Sequence, residues 1–242
     1  ASARPAVQAD TSCDNMPLSI VLKADSGSGQ AITEEQLEQN SETIAQRLNG
    51  LGIDDAVVTI VGDDQIDITF QRAEDVTDEV LRTIQQTGLL EFIDPQGEYL
   101  SAGTYVTTTL DWPSSATPSA SPNATVYATI VDSEDIRNVY TTTDSLGQPA
   151  IAFVLAAQGR NDLVSYTRSH IQQPMSIVFD KRVVSSPVIT APIFGEGIIA
   201  GIDPADVPAL VLVLSSKPLR FPMSIAETHA DIDSAGCVDP SE

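Results

Sequence analysis

Two hydrophobic periodicities alternate along the first third of this chain, and together they limit the folds open to it. Pro17–Lys23 reads as a short strand. Thr33 and Gln36 form a capping box, after which apolar residues recur on one helical face as far as Gly50. Gln65–Phe70 alternates apolar with polar side chains, as a half-buried strand does. A chain that mixes both periods in this way folds as an α+β domain.

The order of these elements predicts a ferredoxin-like unit. Strands at Ala56–Val61 and Gln65–Phe70 flank a tight turn at 62–64, which indicates a hairpin. A second amphipathic helix follows, and a last strand is expected at Leu89–Ile93. The resulting order, βαββαβ, is that of the ferredoxin-like motif.

The second half repeats this element order without repeating the sequence. A polar stretch rich in Ser, Thr, Pro and Gly comes first, as in a linker or long surface loop. Beyond it we expect a strand at Ala150–Leu155, a helix at Asn161–Ile171, a hairpin around residues 180–181 and a helix starting at Asp203. The prediction is therefore α+β, with two ferredoxin-like βαββαβ units joined by a Ser/Thr/Pro-rich insert.

The chain is strongly acidic. Thirty-four Asp and Glu residues oppose twelve Lys and Arg residues, which gives a formal net charge of −22. Because such a charge repels nucleic acid and anionic lipid surfaces, we predict no nucleic-acid partner. Two interpretations stay open: the acidity keeps the protein soluble, or it attracts a basic partner.

No part of the sequence predicts a membrane span. No apolar run reaches the ~18–20 residues that a spanning helix needs. The longest, Val207–Leu214, contains Pro208 and has the length of a single helix or strand of a globular protein. The opening Ala1–Asn15 is small and polar, as expected just after a cleavage site or a trimmed membrane anchor.

The chain offers no constellation of residues that predicts catalysis. Its two histidines, His170 and His229, lack metal-ligand spacings, and no Gly-x-Ser-x-Gly elbow occurs. The Gly-Ser-Gly stretch at 27–29 is not followed by the Lys-Ser/Thr pair of a phosphate-binding loop. We therefore predict no catalytic residue, no cofactor and no metal site. Looser calcium binding by turn aspartates stays open as an alternative, at Asp54, Asp55, Asp63 and Asp64.

Two cysteines, Cys13 and Cys237, lie near opposite ends of the chain. In an oxidising compartment a disulfide between them would close a loop over nearly the whole chain, and the chain-entropy model assigns such a loop about 5 kcal/mol of stabilisation. Two free thiols in the tails are the other interpretation. No Cys-x-x-Cys spacing exists, so thiol redox catalysis is excluded.

Two ordered series of short motifs run through the sequence. The first has a helix with Arg47, a Leu-Gly stop at 51–52, a Gly-Asp-Asp hairpin turn at 62–64 and a Leu-Glu-Phe strand at 90–92. The second includes residues 180–188, an Asp-Lys-Arg-Val-Val-Ser-Ser-Pro-Val run. In order and spacing both series resemble the SecD family of protein-export membrane proteins, in its first periplasmic, or extracytoplasmic, domain.

The second series is similar to the head segment of that domain, where an Asp-Gly-x-Val-x-Ser-x-Pro-Val pattern recurs. Lys181 stands where the family commonly has glycine. The resemblance implies a base and a head unit. We accordingly expect five segments: a flexible N-terminal segment (1–16), a ferredoxin-like base unit (17–94), a polar insert (95–135), a head-like unit (136–226) and a C-terminal tail (227–242).

The resemblance also implies a function without catalysis. It predicts an extracytoplasmic protein-transport factor that contacts translocating, unfolded secretory polypeptide, with the Sec translocon or a SecF-like subunit as a further partner. Membrane attachment would come only through segments absent from this chain. A freestanding secreted binding protein with a SecD-like fold is the alternative. The residues expected to contact a partner lie near the head, at Val183, Val184, Pro187, Val188, Ile189 and Phe194.

Overall fold

The computed structural model of the protein describes residues 17–25, 31–110 and 125–230. The expected N-terminal segment (1–16) and the cysteine pair Cys13 and Cys237 lie outside these ranges.

Twelve strands and four α-helices make up the described part of the chain. The strands are β1 (Leu18–Ala24), β2 (Val57–Val61), β3 (Gln65–Phe70), β4 (Leu90–Asp94), β5 (Thr107–Thr108), β6 (Val126–Asp132), β7 (Ile136–Thr143), β8 (Pro149–Leu155), β9 (Ser176–Phe179), β10 (Arg182–Ser185), β11 (Glu196–Ile199) and β12 (Met223–Ala230). The helices are α1 (Glu34–Gly50), α2 (Asp78–Gln85), α3 (Ala157–Ser169) and α4 (Val207–Ser215).

The first sheet has the order β12-β1-β3-β2, and all of its neighbouring strands are antiparallel. Helices α1 and α2 bury their apolar stripes in the same core as the inward side chains of β1 and β3. The alternation in β3 places Ile66, Ile68 and Phe70 in that core. At the start of α1 the predicted capping box is present, because Thr33 and Gln36 exchange side-chain and backbone hydrogen bonds.

The predicted last strand of the base unit lies in a different sheet. The strand forms, as β4, but it pairs with β6 and β9 in the second sheet. The place beside β1 is taken by β12, from the far end of the described chain. The expectation that residues 17–94 close their own βαββαβ sheet is therefore wrong. The physical reason is that both faces of β4 are buried, so this strand needs neighbours on both edges and cover on both sides.

The second sheet has the order β10-β9-β4-β6-β5, and a third sheet has the order β11-β8-β7. The two sheets share one core with α3 and α4, in which the rings of Phe92 and Phe153 lie 5.0 Å apart between centroids. The mixed α+β class is confirmed. The stretch 95–135 is not wholly a linker, however, because it contains β6, an internal strand of the second sheet.

Boundaries in the second half differ from the predicted ones at both helices. Helix α3 begins at Ala157 rather than Asn161, and Ala156 at its N-cap makes no side-chain cap bond that could have marked the start. Helix α4 begins at Val207 rather than near Asp203. Pro208 stands in its first turn, where a missing backbone N–H costs nothing.

Candidate binding site

The six residues expected to contact a partner lie along one continuous segment but differ in exposure. Val183 and Ile189 are buried, and Val184 is half-buried. Pro187 is exposed, as are Val188, with 51% of its surface accessible, and Phe194, with 62%. Two of these residues, Val183 and Val184, line a common cleft.

This cleft, of about 580 Å³, lies between α2, the β9–β10 hairpin and α4. Its apolar lining includes the half-buried side chains of Phe179, Val184 and Leu210. Exposed charged residues of both signs also border it, at Glu79, Arg82, Arg182 and Asp206. The cleft therefore combines an apolar wall with a rim that carries charges of both signs.

A second set of exposed apolar side chains lies on the segments that follow α3 or pack beside it. We call it the α3-end patch and define it by the exposed side chains of Ile171, Val188 and Phe194. The backbone N–H of Gln172 donates to the carbonyl of Ile189 over 2.8 Å, which ties the first two segments together. The backbone N–H of Ile193 donates to Thr167 Oγ1 over 3.0 Å, which places the residue before Phe194 beside the last turn of α3.

A buried ion pair crosses the second sheet close to the β9–β10 turn. Lys181 Nζ lies 2.9 Å from Glu91 Oε2, and both side chains are almost completely buried. Lys181 also donates to Thr108 Oγ1 over 2.6 Å and to the carbonyl of Leu110 over 3.1 Å. Glu91 Oε1 accepts from the hydroxyls of Thr108 and Thr129. The protein therefore supplies hydrogen-bonding partners to both of these buried charges.

Arg47 is a second buried cation, and it joins α1 to the rest of the molecule. Its guanidinium donates to the carbonyls of Thr83 over 3.0 Å and Thr87 over 3.2 Å, and also to the carbonyl of Gln86. Its Nε donates to Ser216 Oγ, just beyond α4, over 2.9 Å. Burial lowers the pKa of Arg47 to about 10, and the nearby Asp180 carboxylate partly offsets that effect.

Gly88 allows this approach of Arg47 to the end of α2. The residue has a φ of +81°, which favours glycine, and a Cβ built there would lie 2.8 Å from Arg47 Nη2 and 2.8 Å from Val213 Cγ1. The neighbouring backbone N–H of Leu89 donates to Asp180 Oδ1 over 2.8 Å. Arg47, the chain after α2 and the β9–β10 turn thus form one network.

Asp180 is half-buried in this network, and desolvation raises its pKa above the ordinary value of 3.8. The backbone N–H groups of Leu89 and Gly88 and the charge on Arg47 act in the opposite direction, but burial is the larger effect. Between pH 3.8 and the raised pKa, the folded protein binds this proton more tightly than the unfolded chain does. The stability contributed by Asp180 is therefore lost as the pH rises through this range.

Replacing Asp180 with asparagine should make the stability of the protein depend less on pH. The amide oxygen can still accept from the N–H of Leu89, and asparagine tolerates the φ of 46° found here. Urea unfolding from about pH 4 to pH 8 should show wild-type stability falling with pH more steeply than that of the variant. Asp63→Asn, at an exposed turn, removes the same charge and should keep the wild-type slope. If the free energy of unfolding changes equally with pH in all three proteins, Asp180 does not contribute to its pH dependence.

Metal binding finds no support among the residues that the structure describes. Within 17–25, 31–110 and 125–230, no group of three or more His, Cys, Asp or Glu side chains is placed to hold a metal ion. This applies also to the turn aspartates for which calcium binding was an alternative. No helix within the described ranges combines the length and the apolar character that crossing a bilayer requires.

The buried charges are the features that reasoning from sequence missed. Asp180 and Lys181 were assigned only to a hairpin turn, and both do have positive φ angles, of 46° and 62°. Glu91 was named only as part of the Leu-Glu-Phe strand at 90–92. One signal was available: Lys181 replaces a glycine that the resembled family commonly has, and a long cation at a tight turn needs a partner within its reach.

Comparison with known proteins places this architecture in a defined class. Residues 37–97 match the family model of the N-terminal part of the P1 domain of the protein translocase subunit SecDF, and residues 113–221 match the model of the SecDF P1 head subdomain. The class is therefore the P1 domain of a protein translocase subunit. Because both models describe parts of the same P1 domain and SecD relatives align with most of this chain, the chain belongs to the SecD family.

The relatives include protein translocase subunit SecD of Thermobaculum terrenum, 27% identical over 88% of this chain and 51% of that protein. SecD of Dictyoglomus turgidum is 25% identical over 87% of this chain and 45% of that protein. SecDF of Thermus thermophilus is 25% identical over 88% of this chain and 30% of that protein. The chain thus spans about half the length of the SecD relatives that it matches, or less.

Two solved structures share the fold. A crystal structure of SecDF in a super-membrane-facing form superposes with a TM-score of 0.71 at 24% identity, over 90% of this chain and 30% of that one. A second structure, of a SecDF membrane component that enhances protein export, gives a TM-score of 0.66 at 24% identity, over 86% of this chain and 98% of that one. The α+β arrangement is therefore that of the SecDF P1 domain.

Proposed function

We propose that this chain is the extracytoplasmic, substrate-handling part of a SecD-like export factor, which contacts unfolded polypeptide during translocation and performs no catalysis. The observation that carries the proposal is the α3-end patch, since Ile171, Val188 and Phe194 are exposed apolar side chains inside the segment that matches the P1 head. Exposed apolar side chains that recur within one segment of a domain favour a surface for binding. The cleft lined by Val184 adds a place for a further apolar side chain of the substrate.

The chemistry of this surface suits a substrate without a fixed sequence. Apolar contact is non-directional, so Val188 and Phe194 would accept many different hydrophobic side chains. Of the six residues expected from sequence, the buried Val183 and Ile189 would support the surface, while Pro187, Val188 and Phe194 would touch the substrate and Val184 would line the cleft. The Sec translocon and a SecF-like subunit are the partners that this role requires. No observation on the described residues favours a freestanding secreted protein instead.

Site-specific crosslinking tests the proposal. With a photoreactive amino acid at Val188 or Phe194 of the full-length protein, we expect crosslinks to a secretory precursor stalled during export. Val57 is the matched control, because it is 53% exposed, like Val188, but lies on the outer strand β2 of the first sheet. Crosslinks of equal yield at all three positions would contradict a specific surface.

Polar substitution gives a functional test. The double variant Val188→Ser with Phe194→Ser should slow precursor export several-fold while leaving the urea midpoint close to the wild type, because both side chains are largely exposed. The control Val57→Ser with Val61→Ser also removes two exposed apolar side chains and should leave export unchanged. Normal export by the first double variant would remove the support for the proposal.

A further inference from the structure

A pocket of about 440 Å³ lies between α1, β7 and the segment that follows α4. Its lining includes Gln39 of α1, Arg137 of β7, Lys217 just after α4, and Arg220 before β12. The pocket therefore lies between α1, which packs on the first sheet, and β7, an edge strand of the third sheet. No residue that lines this pocket also lines the cleft or belongs to the α3-end patch, so the pocket is a separate site.

The charge in this pocket is the reverse of the charge of the whole chain. Three cationic residues, Arg137, Lys217 and Arg220, line it with a single acid, Glu134, although acids outnumber bases 34 to 12 overall. Arg220 is engaged: its Nη2 lies 3.0 Å from Glu134 Oε1, and its Nε donates to Gln39 Oε1 over 2.6 Å. Among the described residues, neither Arg137 nor Lys217 makes an ion pair or a side-chain hydrogen bond, and both are exposed.

We propose that this pocket binds a dianionic phosphate group. Three cations and one carboxylate leave a surplus of two positive charges, which a phosphate group neutralises better than a single carboxylate does. Guanidinium groups offer paired N–H donors to two phosphate oxygens, and the ammonium of Lys217 supplies a third contact. Free phosphate and a phospholipid headgroup share this chemistry.

The test is titration of the chain with inorganic phosphate at constant ionic strength, followed by backbone amide shifts and by the melting temperature. We expect saturable shifts in β7 and around residue 217, together with a rise in melting temperature. Arg137→Gln with Lys217→Gln should weaken phosphate binding by about tenfold or more. Arg160→Gln with Arg168→Gln is the matched control, because it removes two exposed charges from α3 and should bind phosphate like the wild type.

Vesicles distinguish the two sources of the phosphate group. Sedimentation with phosphatidylcholine vesicles, with and without phosphatidate, measures headgroup binding, and competition by inorganic phosphate shows whether the same pocket is used. Binding of either probe that the Arg137→Gln and Lys217→Gln variant loses, and the control variant keeps, supports the proposal. If phosphate changes all three proteins alike and phosphatidate vesicles retain none of them selectively, the pocket is not a phosphate site and the proposal is overturned.

Discussion

Replacing Lys181 with methionine should destabilise the protein by about 3–5 kcal/mol, because the change leaves the Glu91 carboxylate buried without a counter-charge. Methionine fills much of the lysine volume, so the loss comes from charge rather than from packing. Lys181 also has a φ of 62°, a conformation that methionine occupies no more easily than lysine does. Urea unfolding followed by circular dichroism measures the loss as a lower midpoint with little change in slope.

A second variant separates the ion pair from its isolated charge. Replacing both partners, as Glu91→Leu with Lys181→Met, should recover most of the lost stability, because no unpaired charge then stays in the sheet. Lys23→Met is the surface control: its pair with Asp64 is about half exposed, so the effect should stay within about 1 kcal/mol. If Lys181→Met lowers the free energy of unfolding no more than Lys23→Met does, the buried ion pair does not stabilise the protein as proposed.

Replacing Arg47 with methionine should also cost about 3–5 kcal/mol. The change removes the donor for the carbonyls of Thr83, Gln86 and Thr87, and it leaves the half-buried Asp180 carboxylate without its nearby positive charge. Since the network links α1 to α2 and to the segment after α4, hydrogen exchange should speed up in all three. Thermal and urea unfolding measure the global loss.

Arg82→Met is the matched control for this prediction. Arg82 lies on α2 close to the same network, but its side chain is exposed. Among the described residues it makes one hydrogen bond, to the carbonyl of Asp78 in its own helix. Its loss should cost less than about 1 kcal/mol and leave exchange in α1 unchanged. An Arg47→Met protein whose stability matches that of Arg82→Met would contradict the proposed role of the buried guanidinium.

Local patterns predicted the elements that depend on nearby residues. The capping box at Thr33 and the alternation in β3 arise within a few residues, and both appear as expected. The β9–β10 hairpin also forms where its turn residues indicated. Pairings between distant segments were not predictable in this way. The place of β12 beside β1 depends on complementarity across the whole described chain, and no local periodicity records it.

In the candidate site, too, local motifs were predictable but contacts between distant segments were not. The apolar segment near Pro187 was found from a motif, but the motif does not say which of its side chains face water. Glu91 is the clearest example, because a central glutamate in a strand is expected to face solvent, whereas here both faces of the strand are covered. The cationic pocket was invisible in the sequence, since Gln39, Arg137 and Lys217 are far apart along the chain and meet only in the fold.

The pairing of β1 with β12 has a mechanical consequence. Leu18 and Ala230 are paired neighbours at one end of this antiparallel ladder. A force that pulls these two residues apart would break the inter-strand hydrogen bonds one after another, because those bonds run perpendicular to the strands. A force that pulls both residues in the same direction would be shared by the two strands and carried into the whole first sheet. The domain therefore withstands traction on both strands together far better than separation of one strand from the other.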